Sequence, residues 1–397
     1  NGVTYTTVGH EPFSIHNILD QDVLQITNNL SYFMGNQTFT GGFTYEKFKF
    51  FNSFNIFKHG YFMNPPSWGG TTYSSVGDFF TVTDPTSGSE INYSDMVGSA
   101  PFKGEIIEVG QMSFYGQDEV SVNENLKVTA GLRVDIPQYI TEPVSNPYST
   151  DSLTLIDGND QAEKIDQAKL PDPTLLYSPR LGFNYDLTGD RSFQLRGGVG
   201  VFTGRLPFVW IGNVISNPGA NPNLWVPGDT TLSSIAHETD SGEGRHVEGK
   251  SVLQQSFDLN AMVDDFKWPQ IMTTNLAVDK SLPGDMLATV ELVYSYDLNA
   301  IYMRNADLAT PFHTLIDGRD YFGADSILPG DADDAHELNG GDFGAGAYVI
   351  DNVNEGSSMT FTAQLRKRFG FGLNTSLAYT YLDAKNNLQS TEIASVL

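Results

Sequence analysis

The sequence predicts an all-β fold, an antiparallel barrel whose strands cross a membrane. Three observations lead there. Strand-like segments alternate apolar and polar residues with a period of two. These segments come in pairs closed by very short turns. The pairs are separated by very long connections, at residues 48–110, 136–177, 203–270 and 300–357. Period-two alternation gives a sheet one apolar and one polar face. Short turns at one end and long loops at the other place all the turns on one side. In a bacterial barrel the short turns are periplasmic, the long loops extracellular, and the apolar face meets lipid. Structureless loops of this length are uncommon in a compact soluble domain.

The strands can be justified in order. Val23–Tyr32 carries Leu24, Ile26, Leu30 and Tyr32 against Gln25, Thr27, Asn29 and Ser31. Met34-Gly35-Asn36 turns it into Thr38–Lys47, with Phe39, Phe43 and Tyr45 against Thr38, Thr40, Thr44 and Glu46. The second pair joins Gln111–Val120 to Leu126–Asp135, where Leu126, Val128, Ala130, Leu132 and Val134 alternate with Lys127, Thr129, Gly131, Arg133 and Asp135. The third joins Ser178–Leu187 to Ser192–Phe202 across Thr188-Gly189-Asp190-Arg191. Leu181, Phe183 and Tyr185 mark the apolar face of its first strand. Ile271–Asp279 and Met286–Asn299 flank Leu282-Pro283-Gly284-Asp285. Ser358–Phe369 and Gly372–Lys385 form the last pair. Lys47–Phe57 reads as an extension above the membrane. Tyr294, Tyr296, Tyr379 and Tyr381 lie toward loop ends, and Tyr32 and Tyr185 toward turn ends, as two interfacial girdles require.

Composition narrows the function. The formal charge of −26 argues against a nucleic-acid partner, whose phosphates need a basic footprint. With no cysteine, disulfides and Cys-type zinc sites are excluded. No apolar run is long enough for a membrane helix, which a barrel does not need. The chain begins Asn1-Gly2-Val3 without a signal peptide, and Ala394-Ser395-Val396-Leu397 is not a strand with a terminal aromatic. Both lead to the expectation that residues 1–397 are an internal section of one barrel domain.

Several motifs then resemble one family. Tyr115-Gly116-Gln117-Asp118-Glu119, Gly131-Leu132-Arg133-Val134-Asp135 and Ser178-Pro179-Arg180-Leu181-Gly182-Phe183-Asn184 resemble the barrel signature of TonB-dependent outer-membrane transporters. Gln194 through Arg205, followed by Pro207-Phe208-Val209-Trp210, is similar to the Oar-like branch, large receptors of Bacteroidetes and myxobacteria. Phe266-Lys267-Trp268-Pro269-Gln270, Asn275-Leu276-Ala277-Val278-Asp279 and Ala378-Tyr379-Thr380-Tyr381 also fit it. The resemblance implies a barrel of about 22 strands with a plugged lumen. It implies a location in the bacterial outer membrane and uptake of a scarce substrate. Its partners would be the bilayer with its lipopolysaccharide, a plug domain and remaining barrel strands outside this chain, and TonB–ExbB–ExbD through an N-terminal segment. A surface lipoprotein is a further candidate partner. The alternatives are a passive porin and a barrel-borne hydrolase or adhesin.

Catalytic signals are sparse. Seven histidines are scattered without zincin spacing, and no G-x-S-x-G elbow occurs. Gly197-Gly198-Val199-Gly200 has a nucleotide-loop look, but it lies inside an alternating strand, where small residues permit a bend or close approach. Alternation points Lys127, Arg133, Asp135, Arg180, Asp186, Arg196 and Glu291 into the lumen, for plug docking and hydration or along a substrate path. Residues 300–357 hold eleven Asp and Glu against two Arg. Asp331, Asp333 and Asp334 there suit Ca²⁺ as hard oxygen ligands, or form a solvated acidic loop. Finally, Arg205, Phe208 and Trp210 follow a strand that runs outward. They either contact ligand at the extracellular rim or pack the loop.

Overall fold

A computed structural model of the chain describes residues 17–53, 104–143, 155–157, 161–216, 259–306, 313–318 and 347–387, with residues 75, 77, 311, 320 and 321. In chain order the elements are β1 (Ile18–Met34), β2 (Gln37–Ser53), β3 (Glu105–Ser121), β4 (Leu126–Tyr139), β5 (Leu155–Ile156), β6 (Ala162–Glu163), β7 (Leu176–Asp186) and β8 (Phe193–Thr203). Helix α1 (Phe208–Ser216) follows, then β9 (Leu259–Met262), β10 (Gln270–Leu282), β11 (Met286–Asp297), β12 (Ala300–Asn305), β13 (His313–Thr314) and β14 (Asp320–Tyr321). The last are β15 (Ala347–Val353), β16 (Ser357–Arg368) and β17 (Asn374–Lys385).

Ten strands form one antiparallel sheet in the order β1-β2-β3-β4-β7-β8-β10-β11-β16-β17. These are the ten strands the alternation predicts, each beside its neighbour in sequence. Among the described residues β1 and β17 each have one sheet partner and are not joined to each other. The outward face carries exposed Leu24, Ile26, Leu30, Phe114, Leu132, Leu181, Leu276 and Leu292. Tyr32 and Tyr185 lie near the turns, while Tyr294, Tyr379 and Tyr381 lie toward the loop side, all of them exposed.

The turns follow from their residues. Gly35 has φ 60°, the left-handed conformation that a two-residue hairpin needs and glycine adopts without strain. In the turn between β7 and β8, Asp190 accepts from the Thr188 hydroxyl at 2.6 Å and the Ser192 amide at 2.9 Å. Hydrogen bonds from Ser192 and Thr188 hold its carboxyl well below the usual carboxylate range. Within β8, Gly198 faces inward, and a Cβ there would lie 2.8 Å from the Leu181 carbonyl oxygen. The glycine cluster is thus sheet wall, not a phosphate loop.

β2 and β3 run further than the lipid-facing pattern predicts, to Ser53 and from Glu105. Alternation continues there, but its sense reverses. Below that level, outward Phe43 and Tyr45 alternate with inward Thr44 and Glu46. Above it, outward Lys47 and Lys49 alternate with inward Phe48 and Phe50. β3 does the same: Ile107 and Val109 are buried inside, while outward Glu108 pairs with Lys47 at 2.9 Å. Charged side chains pointing outward mark the end of the hydrocarbon, and apolar ones pointing inward mark a protein core above the membrane.

Adjacent residues on β16 test the two faces. Phe361→Arg, on the lipid side, is expected to cost about 2–4 kcal/mol in unfolding from a bilayer, and Thr360→Arg, on the inner side, close to nothing. Equal costs at both positions would contradict the assignment. Asp190 gives a pH test. A depressed folded-state pKa stabilises above the unfolded carboxylate value of about 4 and is lost as pH falls below it. Asp190→Asn should therefore be less stable than the parent near neutrality and converge with it in acid, measured by thermal unfolding across pH.

Candidate functional site: the inner wall and its extracellular cap

The inner face carries two charged networks. Register sets Arg196 opposite Ala277 and Ala277 opposite Glu291. The small alanine lets the guanidinium lie across β10. Arg196 donates Nε to Asp279 at 3.0 Å and Nη1 to Glu291 at 3.2 Å, and Thr289 donates to Asp279 at 2.6 Å. In the second network buried Asp135 accepts from Ser113 Oγ at 2.6 Å, Gln111 Nε2 at 2.9 Å and Arg133 Nε at 2.9 Å. Lys127 pairs with Glu119 at 2.8 Å. The Arg180 guanidinium lies over the Phe202 ring, 4.7 Å from its centroid. Lys127, Arg133, Asp135, Arg180, Arg196 and Glu291 therefore share one face, as alternation predicts. The part-exposed pairs made by Lys127 and Arg196 each contribute only about 0–1 kcal/mol. Their consequence is a wall of fixed polarity rather than a source of stability.

Beyond Thr203 the chain leaves the sheet. The Gly204 amide donates to the Pro269 carbonyl at 2.8 Å, and α1 begins after Pro207. The helix is apolar nearly all round and accordingly buried. Trp210, Ile211, Val214 and Ile215 join Phe48, Phe50, Ile107, Val109, Leu176, Met262, Trp268 and Ile350 in one core. Gly212 allows close approach to β3, since a Cβ there would lie 2.9 Å from Ile107 Cδ1. Phe208 packs between Phe48 and Phe50, with centroids at 4.9 and 5.0 Å. Trp268 donates its indole N–H to the Tyr139 hydroxyl at 3.0 Å.

A second sheet, β12-β15-β9, lies over this core, with β9 parallel to β15. Met262 and Ile350 belong to the core that contains α1, while Leu259, Ala261 and Val349 belong to a second cluster with Leu155 and Ile165. Arg304, almost fully buried, pairs with Glu163 and with Asp351 at 3.1 Å. Burial lowers its pKa, but the two carboxylates outweigh that and raise it, so the guanidinium stays charged. The connections are thus not structureless. Part of them folds as a cap on the inner face above the membrane.

Arg205, Phe208 and Trp210 meet at the boundary between cap and wall. Arg205 forms an ion pair with Glu46, donates Nε to Gln111 at 3.2 Å and lies 4.9 Å over the Phe48 ring. Phe208 is partly buried, and Trp210 is 4% exposed. Residues 331, 333 and 334, the Ca²⁺ expectation, lie outside the described residues. Among the described residues no group of three His or acidic side chains is placed to hold a metal. The helix and the second sheet are what sequence reasoning missed. Pro207 followed by an apolar run with Trp210, Ile211, Val214 and Ile215 on one side was the available signal for the helix.

The sheet, its lipid-type face and its polar inner wall define an outer-membrane β-barrel protein. The family model described as an outer membrane beta barrel domain matches residues 2–395, and the chain belongs to that family. It is accordingly a protein of the bacterial outer membrane. Similar solved structures include the copper transporter OprC, at 10% identity and TM-score 0.45, covering 93% of this chain and 39% of that one. The siderophore receptor PirA from Pseudomonas aeruginosa gives 11% and 0.41, covering 93% and 43%. The outer membrane transporter YddB from Escherichia coli gives 12% and 0.45, covering 93% and 34%. The chain thus spans well under half the length of these structures. No curated protein matches it in sequence.

Arg205→Ala would leave the buried Glu46 carboxylate without its cation. A loss of about 1–3 kcal/mol is expected, largely recovered in an Arg205→Met, Glu46→Met double variant. Trp210→Ala should cost about 3–5 kcal/mol through the cavity it opens. Denaturant unfolding of the refolded protein measures both. Losses near zero at both positions would mean that the cap does not pack as described.

Proposed function

We propose that the chain is the central barrel section of an Oar-like, TonB-dependent receptor that takes up a scarce substrate in a bacterium of the Bacteroidetes or myxobacterial kind. The folded cap carries this reading. Long connections that build their own hydrophobic core on the inner face suit capture and gating, whereas a passive pore needs an open mouth. The motif series from Tyr115 to Tyr381 supports the family branch. Among the described residues the outer edges of β1 and β17 are unpaired, which supports further strands, because hydrocarbon offers no partner for a free edge.

In this reading the wall residues Lys127, Arg133, Asp135, Arg180, Arg196 and Glu291 face a plug domain, and TonB–ExbB–ExbD acts on a segment outside this chain. The protein binds and transports rather than catalyses. Half-exposed Arg205 remains the candidate for ligand contact, while burial of Trp210 supports a shaping role for that side chain rather than direct ligand contact. Ca²⁺ binding by Asp331, Asp333 and Asp334 belongs to the same proposal. Loss of thermal stabilisation by Ca²⁺ in an Asp331, Asp333, Asp334→Asn variant would test it.

Residues 1–397 contain no cysteine. A Thr362→Cys variant of the intact receptor, with labelling of the parent subtracted, therefore reports on the lumen. A plugged lumen should protect this thiol from a bulky water-soluble maleimide until the protein is denatured. Rapid labelling of the folded receptor would overturn the transporter reading in favour of an open pore.

A further inference from the structure

Within the cap, α1 and the second sheet enclose a narrow recess. It is lined by Trp210, Asn213, Val214, Asn260, Met303, Tyr348 and Ile350, and its void is about 10 Å³. Most of this lining is apolar. Asn213, on α1, is 8% exposed and Asn260, on β9, is 3% exposed. Asn213 Nδ2 and both amide atoms of Asn260 are buried without a hydrogen-bond partner. Three unmade hydrogen bonds bordering one small void are unusual, because buried polar side-chain atoms are nearly always paired with protein or with an ordered molecule.

The chemistry of the three atoms narrows the occupant. Two amide N–H₂ groups donate and one amide oxygen accepts. The missing group must therefore accept two hydrogen bonds and donate one. A hydroxyl oxygen has two lone pairs and one O–H, which is that set. An ammonium group cannot accept, a carboxylate or carbonyl cannot donate, and a cation would be repelled by the two N–H₂ groups. The volume admits one oxygen atom, about the space of a water. Among the lining residues Met303 and Tyr348 are partly exposed, so the recess meets solvent on their side.

We propose that this recess is a binding site for a single hydroxyl group, bridging α1 to β9. Water supplies it in the empty receptor. A neutral polyol such as a sugar can supply it with its remaining atoms outside, beside Met303 and Tyr348. The site concerns neutral hydroxyl chemistry and is independent of the barrel's charged wall. It also stands apart from the transporter reading, since it depends only on the cap.

The test uses the intact protein and two variants. High-resolution density of the parent should show one oxygen in hydrogen-bonding contact with Asn260 and Asn213. Asn260→Leu, of similar volume, should lower the thermal midpoint by removing the bridge, and Asn260→Asp should retain the bound oxygen. Glucose at increasing concentration should raise the midpoint of the parent saturably and leave Asn260→Leu unmoved. An oxygen in the density with no response to glucose would overturn the polyol half and leave a structural water. An empty recess, with Asn260→Leu more stable than the parent, would overturn the proposal entirely, since it would mean a dry and merely strained amide pair.

Discussion

Hydrocarbon offers no hydrogen-bond partner to a peptide group, and the ten-stranded sheet on which the rest of the described structure is built follows from that. A segment crossing the bilayer as a strand must find its donors and acceptors on neighbouring strands. The ten-stranded sheet supplies them through consecutive antiparallel pairing, hairpin by hairpin. Pairing in turn fixes which residues face lipid. Leu276 and Leu292 can be apolar because they are outside, and Arg196 and Glu291 can be charged because they are inside, one register step away on the same ladders.

Above the membrane the constraint changes sign. Water now touches the outer surface, so Lys47, Lys49 and Glu108 face out. The inner surface no longer needs to be wet, so Phe48, Phe50, Ile107 and Val109 line it and accept α1 as a core partner. Arg205 lies at this crossover. It joins Glu46 and Gln111 on the polar side to the Phe48 ring on the apolar side. The cap is therefore seated by the same two strands that form part of the wall.

The sheet was legible in the sequence because lipid enforces period-two alternation on each strand, and because the hairpin turns are short and rich in glycine. The upper halves of β2 and β3 were less legible. Their alternation persists, but Lys-Phe-Lys-Phe at residues 47–50 has the opposite sense, and a search for lipid-facing apolar residues ends there. The inner wall was also legible, since residue parity assigns Arg133, Arg180 and Arg196 to one face. Their partners were not, because Arg196 meets Asp279 and Glu291 only through a register spanning three strands. The cap was hidden for a stronger reason. Its core joins Phe48, Trp210, Trp268 and Ile350, which are far apart in the chain and meet only once the sheet exists. Burial of Trp210 could not be read from a loop position, and neither could the recess at Asn213 and Asn260.

The central claim is that one continuous strand passes from lipid to water at the level of Lys47, with its inner face dry above that point. Spin labels at single cysteines along β2 from Phe39 to Phe50 test this most directly, with accessibility to oxygen reporting lipid and to a nickel chelate reporting water. The account predicts oxygen accessibility at residues 39, 43 and 45, chelate accessibility at 47 and 49, and protection from both at 48 and 50. Lipid-type periodicity continuing unbroken through residue 49, or chelate access at 48 and 50, would contradict it.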